Sequence, residues 1–228
     1  METTLTGWTM TQAGQGEHGG ERPWRFGVLL SGSGRTLDNL LRVIDRGELD
    51  AEVVVVVSAR SAVRGVEIAR DAEIPVETIT RRAHADAAAH SRAIYAALEP
   101  FRPDLLILAG YLWQMVVDPE WEGRMLNIHP ALLPQAAEYA AGRRRYGDAV
   151  HAAVLDRGDT VSGATVHVVA DAYDTGPPVL QCKVPVLPDD TVTSLAARVF
   201  ATECELYPEA IRRYMAAHPA LRRGVRAR

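Results

Sequence analysis

Arg25-Phe26-Gly27-Val28-Leu29-Leu30-Ser31-Gly32-Ser33-Gly34-Arg35-Thr36-Leu37 is the stretch on which the fold turns. Phe26 to Leu30 is a short apolar run suited to a buried strand. Ser31 to Thr36 is a Gly-rich turn. Leu37, Leu40, Leu41 and Ile44 then recur at i, i+3, i+4 and i+7, the spacing of one helix face. Thr36 suits the N-cap and Gly47 the stop. A strand, a Gly-rich turn and a helix start make an anion site, because backbone N–H groups point outward there and the helix dipole favours negative charge. The turn is neither G-x-G-x-x-G nor a loop ending in G-K-[ST], so the dinucleotide and nucleoside-triphosphate patterns do not match. Taken alone, such a turn is as often purely structural.

The pattern repeats downstream. Val53 to Val57 is an unbroken β-branched run, as in a parallel strand covered on both faces. Val76 to Ile79, Asp104 to Ala109 and Arg124 to Ile128 read as further strands, with helices over Arg64 to Asp71 and His84 to Leu98 between them. Alternating strands and helices predict an α/β fold, a mainly parallel twisted sheet with helices on both faces. Past Pro134 the character changes. A loop runs to about Tyr146 and a helix from about Gly147 to Asp156. Ala164 to Val169 and Val179 to Val186 are strands too close in sequence for a crossover helix, which predicts antiparallel pairing in the C-terminal part. A helix from about Val192 to Ala216 closes the domain, with Pro208 expected to bend or break it.

At 228 residues, with 47% hydrophobic and 24% charged, the chain suits one ordinary domain. Its net charge of −4 argues against a nucleic-acid partner. No apolar run is long enough for a membrane span. Cys182 and Cys204 read as reduced thiols, pointing to a cytoplasmic protein. Residues 1–24 read as a flexible extension, 25–217 as the domain and 218–228 as a basic, solvated tail. Monomer and homodimer stay equally open.

Two more constellations bear on chemistry. Asn127-Ile128-His129-Pro130 ends the fifth strand, where open α/β sheets carry their sites. Alternation puts Asn127 and His129 on one side, where an amide can orient a carbonyl and an imidazole can carry a proton. Asp171-Ala172-Tyr173-Asp174-Thr175-Gly176-Pro177-Pro178 joins two strands at the rim. Asp174 there is able to pair with His129 and favour its charged form. Each has a plainer reading: a histidine at a strand end is often a hydrogen-bonded structural residue, and an Asp near Gly a turn former.

In combination and order these motifs say more. Leu30 to Gly34, Leu108-Ala109-Gly110-Tyr111 and Met125 to Pro134 resemble the folate-dependent formyltransferases. So do Ser162 to Val169 followed by Asp174-Thr175-Gly176-Pro177, then Val179-Leu180-Gln181 and Val184-Pro185-Val186. The resemblance covers about Arg25 to Ala216. It implies a Rossmann-like formyltransferase fold. It also implies transfer of a formyl group from 10-formyltetrahydrofolate, as co-substrate, to the amine of 5-phosphoribosylglycinamide in de novo purine biosynthesis. No metal is implied. By resemblance, Asn127 holds the formyl oxygen, His129 donates the proton and stabilises the oxyanion, and Asp174 tunes His129. Gly34, Arg35 and Thr36 match the positions that hold the substrate phosphate, and Glu203 an acidic residue near the ribose hydroxyls. Leu112, Trp113, Gln114 and Met115, with Asn127, match the folate contacts. Ala170, Asp171 and Tyr173 match the loop packed on the pterin.

The sequence departs from the family pattern in two places. The phosphate loop reads Gly34-Arg35-Thr36 where many relatives have Gly-Ser-Asn. After Pro134 a longer segment through Gly147 replaces a short Lys-aromatic-Pro-Gly, and its Arg143 to Arg145 suit either anionic groups or solvent. Three alternatives to the leading reading remain: an amino sugar or aminoacyl-tRNA as acceptor, hydrolysis of formyltetrahydrofolate, and a non-catalytic module binding a phosphorylated ligand.

Overall fold

A computed structural model of the protein describes residues 22–140 and 147–223. Seven strands form one sheet: β1 (Trp24–Leu30), β2 (Ala51–Ser58), β3 (Val76–Thr78), β4 (Leu105–Leu108), β5 (Met125–His129), β6 (Val161–Val168) and β7 (Pro178–Pro185). Their order is β3-β2-β1-β4-β5-β6-β7. The pairs from β3 to β5 are parallel, and β5-β6 and β6-β7 are antiparallel. The helices are α1 (Arg35–Asp45), α2 (Arg64–Asp71), α3 (Ala87–Leu98), α4 (Ala137–Ala140), α5 (Asp148–Asp156) and α6 (Val192–Ala217).

Alternation along the strands sorts the core into two layers. Phe26, Val28 and Leu30 pack with Leu37 and Leu40 of α1 and with Leu195, Val199 and Ile211 of α6. Leu29, Val55, Val57 and Leu106 face the other way, against Ile94 and Leu98 of α3. Helices thus cover both faces, and β1 is dry on both faces from Phe26 onward, which is why Phe26 to Leu30 carries no polar residue. Chain order reverses between β1 and β4, so the crevice beyond their carboxyl ends is a topological switch point. The Ser31 hydroxyl accepts from the Leu112 N–H at 3.2 Å, tying the loop after β1 to the loop after β4.

Several elements differ from the sequence reading, each for a tertiary reason. β1 begins at Trp24, two residues before the apolar run read as a strand, and Trp24 is buried against the α1–α6 layer. The N-cap of α1 is Gly34, with φ +74°, and Thr36 lies inside the first turn. A Cβ at Gly34 would sit 2.4 Å from Cα of Gly65, whose N–H donates to the Gly32 carbonyl at 3.1 Å. The start of α2 is therefore seated on the turn, and no side chain fits between them. Helix α4 occupies part of the segment read as loop. Helix α6 runs unbroken past Pro208. The Cys204 carbonyl, which a proline four residues on cannot serve, accepts instead from the Asn39 side chain at 2.8 Å.

The basic end is not solvated where it is described. Arg222 is buried and pairs with Asp50, and Arg223 pairs with Glu120. Arg143 to Arg145, most of the N-terminal extension and residues 224–228 lie outside the described residues. Among the described residues no helix is long and apolar enough to cross a membrane.

Candidate active site

The crevice at the switch point is a cleft of about 300 Å³. One wall is the turn from Gly32 to Thr36. Helix α1 has no side-chain cap, and its first backbone bond runs from the Asp38 N–H to the Gly34 carbonyl. The N–H groups of Arg35, Thr36 and Leu37 precede that bond, so the helix end is left to receive an acceptor, and an anion suits it. The Arg35 guanidinium lies over the Phe200 ring at 4.0 Å, so its charge is held against α6 beside Glu203. Loss of hydration pushes the Glu203 carboxyl up to about 7, and Arg35 opposes the rise. Glu203 lines the cleft.

The opposite wall comes from the antiparallel edge. Asn127 and His129 project from β5 on the same side, while Leu126 and Ile128 enter the core. Antiparallel register sets Asn127 opposite His167 of β6. The chain from Val169 to Pro177 then folds back over this pair. Gly176 permits the crossing, since a Cβ there would lie 1.7 Å from the Val168 carbonyl oxygen. Asp174, at φ +57°, is delivered between the two histidines. Its Oδ1 lies 3.6 Å from Nδ1 of His129 and 3.6 Å from Nε2 of His167. His129, His167 and Asp174 are nearly removed from water, so their mutual electrostatics are strong.

A hydrogen-bond chain orients the amide. Nδ1 of His167 donates to the Val168 carbonyl at 3.0 Å, which turns Nε2 toward Asn127. Asn127 Nδ2 donates to that nitrogen at 3.1 Å and lies 3.5 Å from Asp174 Oδ1. The amide is thereby held with its N–H₂ toward Asp174. An amide donor, an imidazole and a carboxylate converge on one end of the cleft, the set needed to steady a developing oxyanion and move a proton.

A family model described as "Formyl transferase" matches residues 24–211, nearly all of the fold just described. The chain belongs to the formyl transferase family. It is 33% identical over 192 residues to the phosphoribosylglycinamide formyltransferase of Haemophilus influenzae, covering 82% of this chain and 85% of that one. It is 38% identical over 207 residues to the Bos taurus trifunctional purine biosynthetic protein adenosine-3, covering 90% of this chain but only 19% of that protein. Against trifunctional relatives of that kind the chain spans about a fifth of their length. Among solved structures, glycinamide ribonucleotide transformylase 1 from Symbiobacterium toebii is 37% identical with a TM-score of 0.77, covering 86% of this chain and 89% of that one. A formyltetrahydrofolate deformylase from Pseudomonas syringae shares the fold alone, at 20% identity and TM-score 0.72 over 86% of this chain and 63% of that one.

Within this formyl transferase fold, the residues singled out from sequence divide in two. Gly34, Arg35, Thr36, Leu112, Asn127, His129, Tyr173, Asp174 and Glu203 all line the cleft. Trp113 and Met115 instead turn into the α3-side core. The Gln114 side chain donates to the Asp171 carbonyl at 2.7 Å, and the Val117 N–H to Asp171 Oδ1 at 2.9 Å. These bonds draw the loop after β4 onto the loop after β6. Ala170 and Asp171 thus line a separate, wider hollow of about 850 Å³.

Sequence reasoning assigned no role to two histidines. His167 sits within a stretch that carried the resemblance, but its role depends on register across β5 and β6. His151 of α5 is buried on the cleft wall, with no partner for Nδ1 among the described residues. Burial draws its pKa down, Asp148 opposes this and His129 adds to it, so it stays neutral near pH 7. Its only sequence signal is its place three residues into a helix that begins at the cleft mouth.

Proposed function

We propose that this formyl transferase moves the formyl group of 10-formyltetrahydrofolate onto the amine of 5-phosphoribosylglycinamide, a step of de novo purine synthesis. The observation that carries the reading is the pairing of two walls in one cleft. The uncapped start of α1 suits a phosphate, and Asn127, His129 and Asp174 lie across from it. The relatives that match most of their own length carry the phosphoribosylglycinamide formyltransferase name, which supports the same acceptor.

Attack by the amine on the formyl carbon turns the carbonyl oxygen into an oxyanion and leaves a proton to be removed from nitrogen. Asn127 donates to that oxygen, and His129, as imidazolium, steadies it and returns a proton to the departing folate nitrogen. Asp174 favours the charged form of His129 and takes part in removing the amine proton. Because the acceptor amine is itself the nucleophile, the cleft needs no activated Ser or Cys. The folate supplies the formyl group, and Leu112 and Tyr173 are the cleft residues placed to meet it. Glu203 accepts from the ribose hydroxyls once ionised. The two free thiols, Cys182 and Cys204, fit a reducing, cytoplasmic setting.

The test is a spectrophotometric assay of folate turnover with phosphoribosylglycinamide, with a sugar amine and with no acceptor. Turnover should be fast with the first and slow with the others, because the phosphate site raises the effective concentration of its amine. Equal rates with and without acceptor would make the chain a hydrolase instead.

A further inference from the structure

At the end of the sheet opposite the cleft, four arginines surround a second hollow of about 290 Å³. Arg22 precedes β1, Arg25 lies at its start, Arg102 precedes β4 and Arg223 follows α6, with Pro100 and Phe101 completing the lining. The hollow and the catalytic turn are separated by the length of β1, roughly 20 Å at about 3.3 Å per residue. The two sites do not share a residue.

The hollow is built rather than incidental. Asp104, fully buried, forms its keel. It accepts two bonds from the Arg22 guanidinium at 2.7 and 2.8 Å, one from the Arg25 N–H at 2.9 Å and one from the Arg223 N–H at 2.6 Å. These donors hold its carboxyl below the usual range although burial opposes them. With four donors on it, Asp104 has little capacity left for a further cation. Glu52 and Glu120 each take one nitrogen, from Arg25 and Arg223.

Positive charge remains in excess. Arg124 lies just behind, donating to the Asp104 carbonyl, and its own pKa is lowered by burial and then by repulsion from Arg223. Five guanidiniums thus face three carboxylates. Nε and Nη2 of Arg223 are buried and meet no hydrogen-bond acceptor among the described residues, and the guanidinium lies over the Trp121 ring at 4.9 Å. Arg102 is exposed at φ +47° and makes no ion pair among the described residues. Planar guanidinium forks that converge on a small space match an acceptor with several oxygens and more than one negative charge.

We propose that this hollow is a second anion site, which takes the phosphate or diphosphate group of a small molecule independently of catalysis. The ligand supplies the counter-charge that Arg102 lacks and adds negative charge among the guanidiniums that line the hollow. It also bridges segments from the beginning, middle and end of the fold, so its binding stabilises the closure of the two termini on Asp104.

The experiment is isothermal titration of the full chain with inorganic pyrophosphate at fixed ionic strength, for wild type, Arg102→Gln and Arg102→Gln/Arg223→Gln. Melting curves are recorded alongside. The Arg102 side chain makes no hydrogen bond or ion pair among the described residues, so its single variant should fold as wild type and carries the test even if Arg223→Gln loosens the C-terminus. A component of the wild-type isotherm should weaken about tenfold in Arg102→Gln and vanish in the double variant, with formyl transfer by Arg102→Gln unchanged. Pyrophosphate should raise the melting temperature of wild type more than that of either variant. An isotherm identical in wild type and Arg102→Gln overturns the proposal, and so does a stabilisation reproduced by sodium chloride at the same ionic strength.

Discussion

The parallel half of the sheet and its antiparallel edge build opposite walls of one cleft by different means. The parallel half contributes backbone: a turn after β1 and the open end of α1, made rigid because α2 is seated on Gly34. The antiparallel edge contributes side chains, Asn127, His129, His167 and Asp174, set by register between β5 and β6 and by a loop folded back over them. Backbone donors suit a group that keeps its charge throughout, such as a phosphate. Titratable side chains suit an oxygen and a nitrogen whose charges change during the reaction. The difference teaches that binding and chemistry are separable here, and mutations should separate them.

The largest effect is expected at the edge. His129→Ala should lower kcat at least about 100-fold, the scale of losing one oxyanion donor, in a protein whose circular dichroism matches wild type. Near-normal turnover would remove His129 from the chemistry and collapse the distinction between the walls. Next comes the turn, where the effect is on folding. Gly34→Val places a side chain on Gly65 and forces a β-branched residue to positive φ. A destabilisation of about 3 kcal/mol is expected from overpacking and strain together, measurable by urea unfolding. A Gly34→Val variant as stable as wild type would show that α2 does not lock the turn.

His167→Ala should follow, with kcat about tenfold lower from the loss of one orienting hydrogen bond and both Michaelis constants nearly unchanged. A rise in the ribonucleotide constant alone would place His167 in binding. The smallest effect concerns Glu203. Its folded carboxyl titrates near 7 against an ordinary 4.5, so the folded state holds the proton more tightly. The associated stability is full below about 4.5 and is lost as pH rises through 7. Glu203→Gln should therefore gain stability on the order of 1 kcal/mol relative to wild type between pH 5 and 8. Denaturant melts at the two pH values read it, and a difference that does not change with pH would mean an unshifted carboxyl.

How far the sequence disclosed these walls follows from the range of the interactions involved. The Val53 to Val57 run and the Leu37, Leu40, Leu41 and Ile44 stripe announce parallel strands and a covering helix, because burial acts residue by residue along one element. Asn127 and His129 are legible together because strand alternation is local. The N-cap is misread since Thr36 has the better capping side chain, whereas Gly34 is selected by its contact with Gly65, far along the chain. His167 is invisible as a partner until β6 is laid antiparallel on β5. The direction in which Trp113 and Met115 turn is not legible locally, because bonds from Gln114 and Val117 to Asp171 set the path of their loop. The Arg222-Arg223 docking needs Asp50, Asp104 and Glu120, all distant in sequence, so a run of basic residues at a chain end looks solvated.

The central claim is the division of labour between the two walls, and one paired measurement tests it most directly: steady-state kinetics of Asp174→Asn beside Thr36→Val, with both substrates varied. Asparagine tolerates the positive φ of Asp174, so the first variant removes charge with little strain. The account predicts that Asp174→Asn lowers kcat by at least about tenfold while the ribonucleotide constant stays within about twofold. It predicts that Thr36→Val raises that constant about fivefold and leaves kcat nearly unchanged. The reverse pattern, with Asp174→Asn acting on the ribonucleotide constant and Thr36→Val on kcat, would contradict it.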